Sequence, residues 1–401
     1  MTGIEFKSSP EFSLGMEIEL QLLNPHTLEL VDGILPLLAQ KPEIPCIQPE
    51  FKQASVEISS QVCRNIHELE ANILANLCYL KAKCQNLGMN ICAAGTHPFC
   101  VACGRRHHFT PVTPIPRYLA QHTASGYIAD IMTTFALQIH VGMPSGDVAV
   151  DIMGKLKPYL PILLALSASS PFWWGHDTGF ASYRRCFLSS FRTYGSPPSF
   201  PTWQDFSDFF ITAQHAGMFE IIRDIHWDLR PQPNLGTLEI RIMDAQPTVK
   251  ESIMLAAFVH SLILYLHDYP QGTQTGFLLS PLPSWMEKEN IFRASRWGLD
   301  ANYIEDQEGN SRPMRSIVKD ILDAIGMTAD TLGERPYLHL LEQRLDTGAS
   351  YIRQRRVFES TGSLKAVVAS LLKELAEELT IPAPHLLRRM RIKLIAPIIA
   401  R

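Results

Sequence analysis

The stretch Gly15-Met16-Glu17-Ile18-Glu19-Leu20 alternates acidic and apolar side chains, and this pattern decides the fold class of the chain. Successive side chains of a β-strand point to opposite faces of a sheet, so Glu17 and Glu19 share one face while the three large apolar side chains share the other. The pattern therefore predicts a strand whose apolar face packs on a core and whose other face is acidic.

Three other stretches show the same alternation, with acidic, basic, amide or imidazole side chains on one face. They are SVEIS at residues 55–59, LQIHVG at 137–142 and LEIRIMD at 238–244. Their polar faces include Glu57, Gln138, His140, Glu239 and Arg241. Clustered carboxylates repel one another and resist ionisation, so we expect a sheet face of this composition to bind hard divalent cations and a polyanion.

The composition argues against several classes of protein. The 401 residues include 36 Lys and Arg against 40 Asp and Glu, a formal net charge of −4, which argues against nucleic acid or an anionic membrane as the main partner. Residues 1–7 contain no apolar signal core, and the longest apolar stretch, 158–174, is interrupted by prolines and serines. We therefore expect a cytoplasmic protein without a membrane segment.

The order of the predicted elements favours an α+β fold with a mostly antiparallel sheet. Strands and helices alternate over the first two thirds of the chain, and the last third is mostly helical. Helical periodicity predicts helices at residues 65–87, 117–131, 154–168, 250–266, 285–297, 314–325, 335–344, 350–359 and 363–379. The segments 100–117 and 169–201 have no period, and loops of this length are often functional.

Cysteine spacing and two smaller features have ordinary structural interpretations. The 8 cysteines are unevenly spaced and lie mostly in apolar segments, so we expect reduced thiols. Cys100 and Cys103 lack the second pair that a structural zinc site needs, and we favour a strand end entering a loop. His97 is expected to be hydrogen-bonded in a turn, and the basic tail at 388–393 to form an amphipathic helix packed on its own protein or on a dimer mate.

Several further motifs occur in a specific order. They are AGTHP at residues 94–98, LSASSPFWWGHDTGFASYR at 166–184, WDLRP at 227–231 and NIFRASRWGLDA at 290–301. With these motifs and the four strands, the chain resembles the bacterial carboxylate-amine ligases of the type 2 glutamate-cysteine ligase family. The resemblance covers about residues 11–360 of an expected single catalytic domain, 1–401, and leaves a helical C-terminal extension, 361–401, outside it.

The resemblance implies a glutamine-synthetase-like fold, in which a curved, mostly antiparallel sheet forms an active-site funnel for ATP, two or more Mg²⁺ ions and an amino acid. The implied reaction transfers a phosphoryl group from ATP to a carboxylate, usually the γ-carboxylate of glutamate, and an amine then attacks the acyl phosphate. The implied metal ligands are Glu17, Glu19, Glu57, His140 and Glu239. Because a histidine nitrogen is a less usual ligand of Mg²⁺, Mn²⁺ is an alternative ion.

Three arginines are expected at the site. The resemblance implies that Arg241 contacts ATP and stabilises the phosphoryl group in transfer. Arg184 and Arg230 lie in aromatic-rich segments where a desolvated guanidinium needs an anion partner, and arginine suits bidentate binding of carboxylate or phosphate. We therefore expect Arg230 to be a catalytic residue that holds the substrate and Arg184 to contact the nucleotide, whereas Arg185 is expected to be structural.

The sequence thus favours an ATP- and Mg²⁺-dependent ligase that joins a carboxylate, glutamate by default, to an amine, and that forms a homodimer. It does not select the amine, which need not be cysteine. Two alternatives stay open: a metal-dependent phosphotransferase that phosphorylates a carboxyl or guanidino group without ligation, and a catalytically silent paralogue. The presence of all five implied metal ligands argues against the silent paralogue.

Overall fold

The computed structural model describes residues 3–40, 46–99, 109–268 and 277–379. Cys100, Cys103 and the tail at 388–393 lie outside these ranges, so what we expect of them stays a prediction. The strands of the described part are β1 (Leu14–Leu23), β2 (Ile47–Pro49), β3 (Ser55–Ser59), β4 (Asn90–Cys92), β5 (Leu137–Gly142), β6 (Phe172–Trp173), β7 (His176–Asp177), β8 (Tyr194–Gly195), β9 (His226–Trp227), β10 (Leu229–Gln232), β11 (Thr237–Ile240), β12 (Asn302–Ile304) and β13 (Ser311–Pro313).

The α-helices of the described part fill the spaces between these strands and form most of the last third. They are α1 (Ile34–Ala39), α2 (Ile66–Asn86), α3 (Pro116–Ser125), α4 (Tyr127–Ile131), α5 (Gly146–Leu156), α6 (Leu160–Ser167), α7 (Tyr183–Leu188), α8 (Trp203–His215), α9 (Val249–Asp268), α10 (Ser284–Trp297), α11 (Met314–Leu332), α12 (Arg335–Thr347), α13 (Ser350–Thr361) and α14 (Leu364–Glu378).

Within the described ranges the central sheet has seven strands, in the order β10-β11-β5-β1-β3-β2 with β4 paired to the C-terminal end of β1. Every one of these pairs is antiparallel. The predicted α+β class with a mostly antiparallel sheet is therefore confirmed. The middle of the sheet consists of β1, β3, β5 and β11, which are the four strands predicted from alternation.

One face of this sheet is the main core of the protein. Its apolar side chains, among them Met16, Ile18, Val56, Ile58 and Ile139, are at most 2% exposed. They pack with helices α2, α5 and α9, and α11 and α12 cover the outer side of α9. Burial of each such aliphatic side chain contributes roughly 1.5–3 kcal/mol, so the core fixes which strand face is left for the polar residues.

Strand β11 is shorter than predicted. It ends at Ile240, whereas the alternation predicted a strand to residue 244. The amide of Arg241 donates to the carbonyl of Asp228 at 2.8 Å, and the amide of Leu137 donates to the carbonyl of Met243 at 3.1 Å. The backbone beyond Ile240 therefore keeps its hydrogen bonds but leaves the regular ladder.

Two predicted helices are each divided in the structure. The helix predicted at 117–131 becomes α3 and α4, separated by Gly126 with φ of 56°. The helix predicted at 154–168 is replaced by α5, a 3₁₀ turn at Lys157–Tyr159 and α6. Pro158 and Pro161 lack the amide hydrogen that a continuous helix needs, so the α-helical ladder cannot pass through them.

Helix α9 is long and apolar enough to cross a membrane, but 83% of its most apolar 18-residue window is buried inside the protein. Its neighbours are α2, α5, α6, α11, α12 and β5. Because other elements of the protein surround α9, its apolar composition on all sides is that of a buried core helix. In this structure α9 is the central helix of the core.

Candidate functional site

A cavity of about 820 Å³ lies over the polar face of the central sheet. Five strands of that sheet contribute to its lining, namely β1, β2, β3, β5 and β10. Because every second residue of these strands faces the cavity, the polar side chains predicted from alternation converge there. Of the implied site residues, only Glu239 lies beneath the lining; its side chain is fully buried.

The antiparallel register brings the acidic side chains together. Glu19 lies directly opposite Glu57 in the β1–β3 pair. Glu239 lies opposite His140 in the β11–β5 pair. On its other side His140 faces Gly15, where an added Cβ would lie 3.3 Å from the His140 Cβ. A glycine at this position therefore gives the imidazole room beside β1.

One group of possible ligands consists of Glu17, His140 and Glu239, and is called the histidine cluster below. One ligand atom from each lies within 4.8 Å of the others. The His140 Nε2 is 3.6 Å from Glu17 Oε1 and 3.9 Å from Glu239 Oε1, and Nδ1 is hydrogen-bonded to Thr237 Oγ1 at 3.0 Å. Within the described residues the buried Nε2 has no hydrogen-bond partner, so it is free to bind a cation.

Arg230 lies beside the histidine cluster, in the cavity lining, and holds Glu239. Its Nε donates to Glu239 Oε2 at 2.8 Å and its Nη2 to Oε1 at 3.0 Å, while its Nη1 donates to the carbonyls of Arg223 and Ile225. Gln232 donates a further hydrogen bond to Glu239 at 2.7 Å. In this structure the guanidinium of Arg230 thus orients a cluster carboxylate through a bidentate pair.

Arg241 lies on the cavity side of Glu239 and donates to both Glu239 and Gln138. Burial would raise the pKa of Glu239, but Arg230, Arg241 and His140 together hold it well below its usual range. Burial opposes the charged imidazole of His140, yet the carboxylates of Glu239 and Glu17 raise its pKa. The histidine cluster is therefore a region of balanced charge.

A second group, called the carboxylate cluster below, consists of Glu19, Glu50 and Glu57. Their closest oxygens lie within 4.8 Å of one another. Glu19 accepts from the amide of Ala136 at 2.7 Å and from Gln138 at 2.9 Å. Three carboxylate oxygens at this spacing, reached from one cavity, are a donor set of the kind that Mg²⁺ prefers.

The carboxylate cluster carries excess negative charge. Burial raises the pKa of Glu57 well above its usual value, and the neighbouring carboxylates Glu17, Glu50 and Glu19 raise it further. Burial and Glu19 raise the pKa of Glu50 to about 7. Burial also raises the pKa of Glu19, although Arg184 and Arg241 oppose the shift. A divalent cation would remove this repulsion.

Arg184 fixes the backbone that carries Arg241. Its Nη1 donates to the carbonyl of Ile242 at 3.1 Å and its Nη2 to the carbonyl of Arg241 at 3.3 Å. It also lies 3.6 Å from Asp244 Oδ1 and lines the cavity near Glu19. The segment after β11 is therefore held from behind, which sets the point from which the Arg241 side chain extends.

Asp244 is the buried anchor of this arrangement. Its carboxylate accepts from the Ser169 amide at 2.8 Å, the Ser170 hydroxyl at 2.7 Å and the Ser182 hydroxyl at 2.9 Å. A Cβ on Gly95 would lie 2.5 Å from the Asp244 Cγ, so this carboxylate occupies the space of a missing side chain. The anchor connects the β11 region to the long segment before α7.

Arg185 and His97 lie away from the cavity lining. Arg185 donates to Asp228 at 2.9 Å in a buried pair, as expected of a structural residue. His97 is fully buried, and its Nδ1 is hydrogen-bonded to Gln21 Oε1 at 2.9 Å. Burial lowers the pKa of His97 to about 3, so it is neutral at ordinary pH.

Glu50, Tyr194 and His226 are among the cavity-lining residues that sequence reasoning missed. Glu50 follows a strand of only three residues, too short for alternation to be seen, although Gln48 and Glu50 are correctly spaced to share a face. Tyr194 and His226 stack with ring centroids 4.8 Å apart, on the parallel pair β8 and β9 of two residues each. No periodic signal marks strands of that length.

Comparison with known proteins shows which family the chain matches. A family model described as glutamate-cysteine ligase family 2 matches residues 13–370. A protein of Trichormus variabilis named "Putative glutamate--cysteine ligase 2" is 72% identical over 381 residues, which cover 95% of this chain and 97% of the relative. A protein of the same name from Bdellovibrio bacteriovorus is 36% identical over 379 residues, covering 94% and 98%.

Two solved structures share the fold at low sequence identity. The glutamate–cysteine ligase of Francisella tularensis in complex with AMP has a TM-score of 0.66 at 11% identity and covers 96% of this chain and 93% of its own. A bifunctional glutathione synthetase from Pasteurella multocida has a TM-score of 0.61 at 13% identity, covering 92% of this chain and 53% of its own. These likenesses show the fold alone and confirm the predicted architecture.

Proposed function

Because the chain belongs to glutamate-cysteine ligase family 2 and is therefore an ATP-dependent carboxylate-amine ligase, we propose that it joins the γ-carboxylate of glutamate to an amine. The observation that carries this proposal is the pair of clusters on one sheet face, open to a single cavity that Arg241 also lines. Phosphoryl transfer needs little acid-base chemistry and much charge neutralisation, which such a site offers.

The two clusters suit divalent cations. The carboxylate cluster offers only oxygens, as Mg²⁺ requires, while the histidine cluster adds one imidazole nitrogen with no partner among the described residues, which Mg²⁺ tolerates and Mn²⁺ accepts readily. We therefore propose that Glu17, His140 and Glu239 hold one ion and that the carboxylate cluster holds another. Bound there, the ions would neutralise the triphosphate charge of ATP.

The proposed reaction has two chemical steps, and the protein's own groups assist the first. The glutamate γ-carboxylate oxygen attacks the terminal phosphorus of ATP, the bond to the bridging oxygen breaks, and ADP leaves with that electron pair. Arg241 stabilises the charge that the transferred phosphoryl group develops. Arg230 and Arg184 keep Glu239 and the Arg241 backbone in place, and their expected contacts with the substrate and with the nucleotide stay predictions. The amine nitrogen next attacks the acyl carbon, the bond from that carbon to the phosphate oxygen breaks, and phosphate leaves with the electron pair and takes up the proton that the nitrogen loses.

Other features of the proposal rest on the sequence. A single catalytic domain, a cytoplasmic location and a homodimer are predictions from the residues and the family resemblance, and the identity of the amine is left open. Four carboxylates and several basic side chains of the described residues line the cavity, which suits small charged substrates. Glutamate is the default carboxylate for these reasons.

A trapping experiment tests the proposed function. The protein is incubated with ATP, Mg²⁺, glutamate and hydroxylamine but no other amine, and ADP and hydroxamate are measured together. Equal amounts of ADP and γ-glutamyl hydroxamate are expected, and Arg241→Lys should give little of either. A stable phosphorylated product without hydroxamate indicates a phosphotransferase, and no ADP with any carboxylate and amine indicates a silent paralogue; either result contradicts the proposal.

A further inference from the structure

Among the residues that the structure describes, seven Lys and Arg residues line the cavity, and most of them are already engaged by the protein. Lys52 donates to two backbone carbonyls, at 3.0 and 2.9 Å. Arg184 and Arg230 donate to carbonyls or to Glu239, Arg241 donates to Glu239, and Arg117 lies over the Tyr118 ring. These five side chains therefore have structural or positioning contacts before any substrate binds.

Lys7 and Arg223 are different. Both side chains are exposed and line the cavity, and neither forms an ion pair or a side-chain hydrogen bond with another described residue. Each lies beside β10, on which Arg230 is placed. The Lys7 amide donates to the carbonyl of Pro233 at 2.9 Å, and the Arg223 carbonyl accepts from Arg230 at 3.1 Å. The backbones from which the two unpaired side chains extend thus lie on the β10 side of the cavity.

The backbone around Lys7 is held firmly although its side chain is free. Ile4 accepts from the Trp203 indole at 2.7 Å, and the amide of Ser9 donates to the carbonyl of Met143 at 3.3 Å. Gly236, with φ of +67°, makes room for the segment, because a Cβ there would lie 1.9 Å from the Lys7 carbonyl oxygen. A terminal segment anchored in this way presents its lysine from a fixed point.

The anchoring point is next to the histidine cluster. Gly236 precedes Thr237, and the Thr237 hydroxyl is hydrogen-bonded to His140 at 3.0 Å. The family match begins at residue 13, so Lys7 belongs to a segment that the family model does not describe. Lys7, whose backbone is fixed, and Arg223 both lie beside a site for a charged substrate. Their side chains are positively charged and long enough to bind anionic oxygens there.

We propose that Lys7 and Arg223 form an anion subsite on the β10 side of the cavity. The subsite binds oxygens of a substrate anion that does not react, and it rests on the proposed function because that function supplies two such anions. One source is a carboxylate of the amino acid other than the reacting one, and the other is a phosphate of ATP away from the transferred group.

The test measures binding directly, so that it does not depend on turnover. Calorimetry with Mg²⁺ compares the affinities of glutamate and of a non-hydrolysable ATP analogue for the wild type, Lys7→Met and Arg223→Met. Removal of one contact between an exposed cationic side chain and an anionic oxygen should weaken binding by about 3- to 10-fold. We expect that loss for one ligand in both variants, with the other ligand within twofold, and the affected ligand identifies the source of the anion.

Two further variants keep the result interpretable. Lys7→Arg retains the charge and should restore most of the affinity, and Lys365→Met removes an exposed charge of α14 that is absent from the cavity lining and should change neither ligand. Affinities within twofold of wild type for both ligands, in both Lys7→Met and Arg223→Met, overturn the subsite. If the subsite variants lose affinity but no hydroxamate forms with the wild type, the proposed function fails while the subsite stands.

Discussion

The histidine cluster and the carboxylate cluster lie on the same sheet face, yet their charges are arranged in opposite ways. In the histidine cluster, Glu239 is held by two arginines, and its pKa lies well below the usual range. In the carboxylate cluster, Glu50 and Glu57 have raised pKa values, because burial and neighbouring acids outweigh the basic groups near them.

This difference separates two ways of building a cation site. The acids of the histidine cluster are balanced even without an ion, because guanidinium groups lie beside Glu239. The carboxylate cluster stores repulsion that either protons or a divalent cation can relieve. Removal of one carboxylate should therefore have opposite effects on the stability of the ion-free protein in the two clusters, although both removals should reduce activity.

The largest expected effect is the loss of turnover in Glu57→Gln. The variant keeps the shape of the side chain but removes a charge that would hold an ion, so we expect turnover to fall by about 100-fold or more at saturating Mg²⁺. Steady-state ADP release measures it, and Glu359→Gln, an exposed glutamate of α13, is the matched control. Near-wild-type turnover in Glu57→Gln would remove the carboxylate cluster from the reaction.

Arg241→Lys tests the cavity side of the histidine cluster. The charge is kept but the planar fork is lost. Nη1 of Arg241 donates to both Glu239 and Gln138, and a lysine amine cannot keep these contacts and also direct a second fixed N–H group at the phosphoryl group. We therefore expect turnover to fall by about 100-fold while ATP affinity changes by less than about threefold. This combination indicates an interaction made mainly in the transition state. A parallel loss of ATP affinity and turnover would instead assign Arg241 to ground-state binding.

Glu239→Gln compares the clusters by stability. It leaves Arg230 buried without its bidentate partner, and breaking such a pair costs about 3 kcal/mol. Urea unfolding of the ion-free protein should show that loss, whereas Glu57→Gln, which removes repulsion, should leave the free energy of unfolding equal to or above that of the wild type. Equal destabilisation in both variants would contradict the division between the clusters.

The smallest effect is a pH dependence of the ion-free protein. Burial and Glu19 raise the pKa of Glu50 from 4.5 to about 7, so the folded state keeps a proton that the unfolded state releases. The stability from this group is fully present below about pH 4.5 and is lost as the pH rises through about 7. Between pH 5 and 8 we expect the Tm of the wild type to fall relative to Glu50→Gln by about 2 °C, and Mg²⁺ to cancel the fall. Parallel curves for the two proteins would refute the assignment.

Alternation in the sequence was sufficient to predict the central strands of the sheet and much of the polar face that forms the candidate site. It predicted the faces of β1, β3, β5 and β11, because a one-residue error in register would expose the whole apolar set of a strand. Since those strands are neighbours, one simple pattern predicted that the five residues which the family resemblance implies as ligands share a sheet face. Whether these residues bind metal stays a prediction for the experiments above.

The remainder of the site depends on contacts between distant segments. Glu50 and Tyr194 lie in or beside strands of two or three residues, and Lys7 reaches the cavity only because Gly236 admits its backbone. The sequence shows Arg184 beside aromatic residues, but not that its donors are directed to the carbonyls of Arg241 and Ile242. Periodicity is local information, and tertiary hydrogen bonds do not appear in it.

The tight fit between Gly95 and Asp244 also limits how this protein can drift during evolution. A side chain at residue 95 would overlap the Asp244 carboxylate at 2.5 Å, and displacing it would break three serine hydrogen bonds and loosen Arg184. A larger residue at position 95 is therefore harmful on its own, and so is the loss of Asp244. We expect residue 95 to change only together with residue 244. Two sites 149 positions apart should evolve as one unit, and a library randomised at both should recover active proteins as matched pairs.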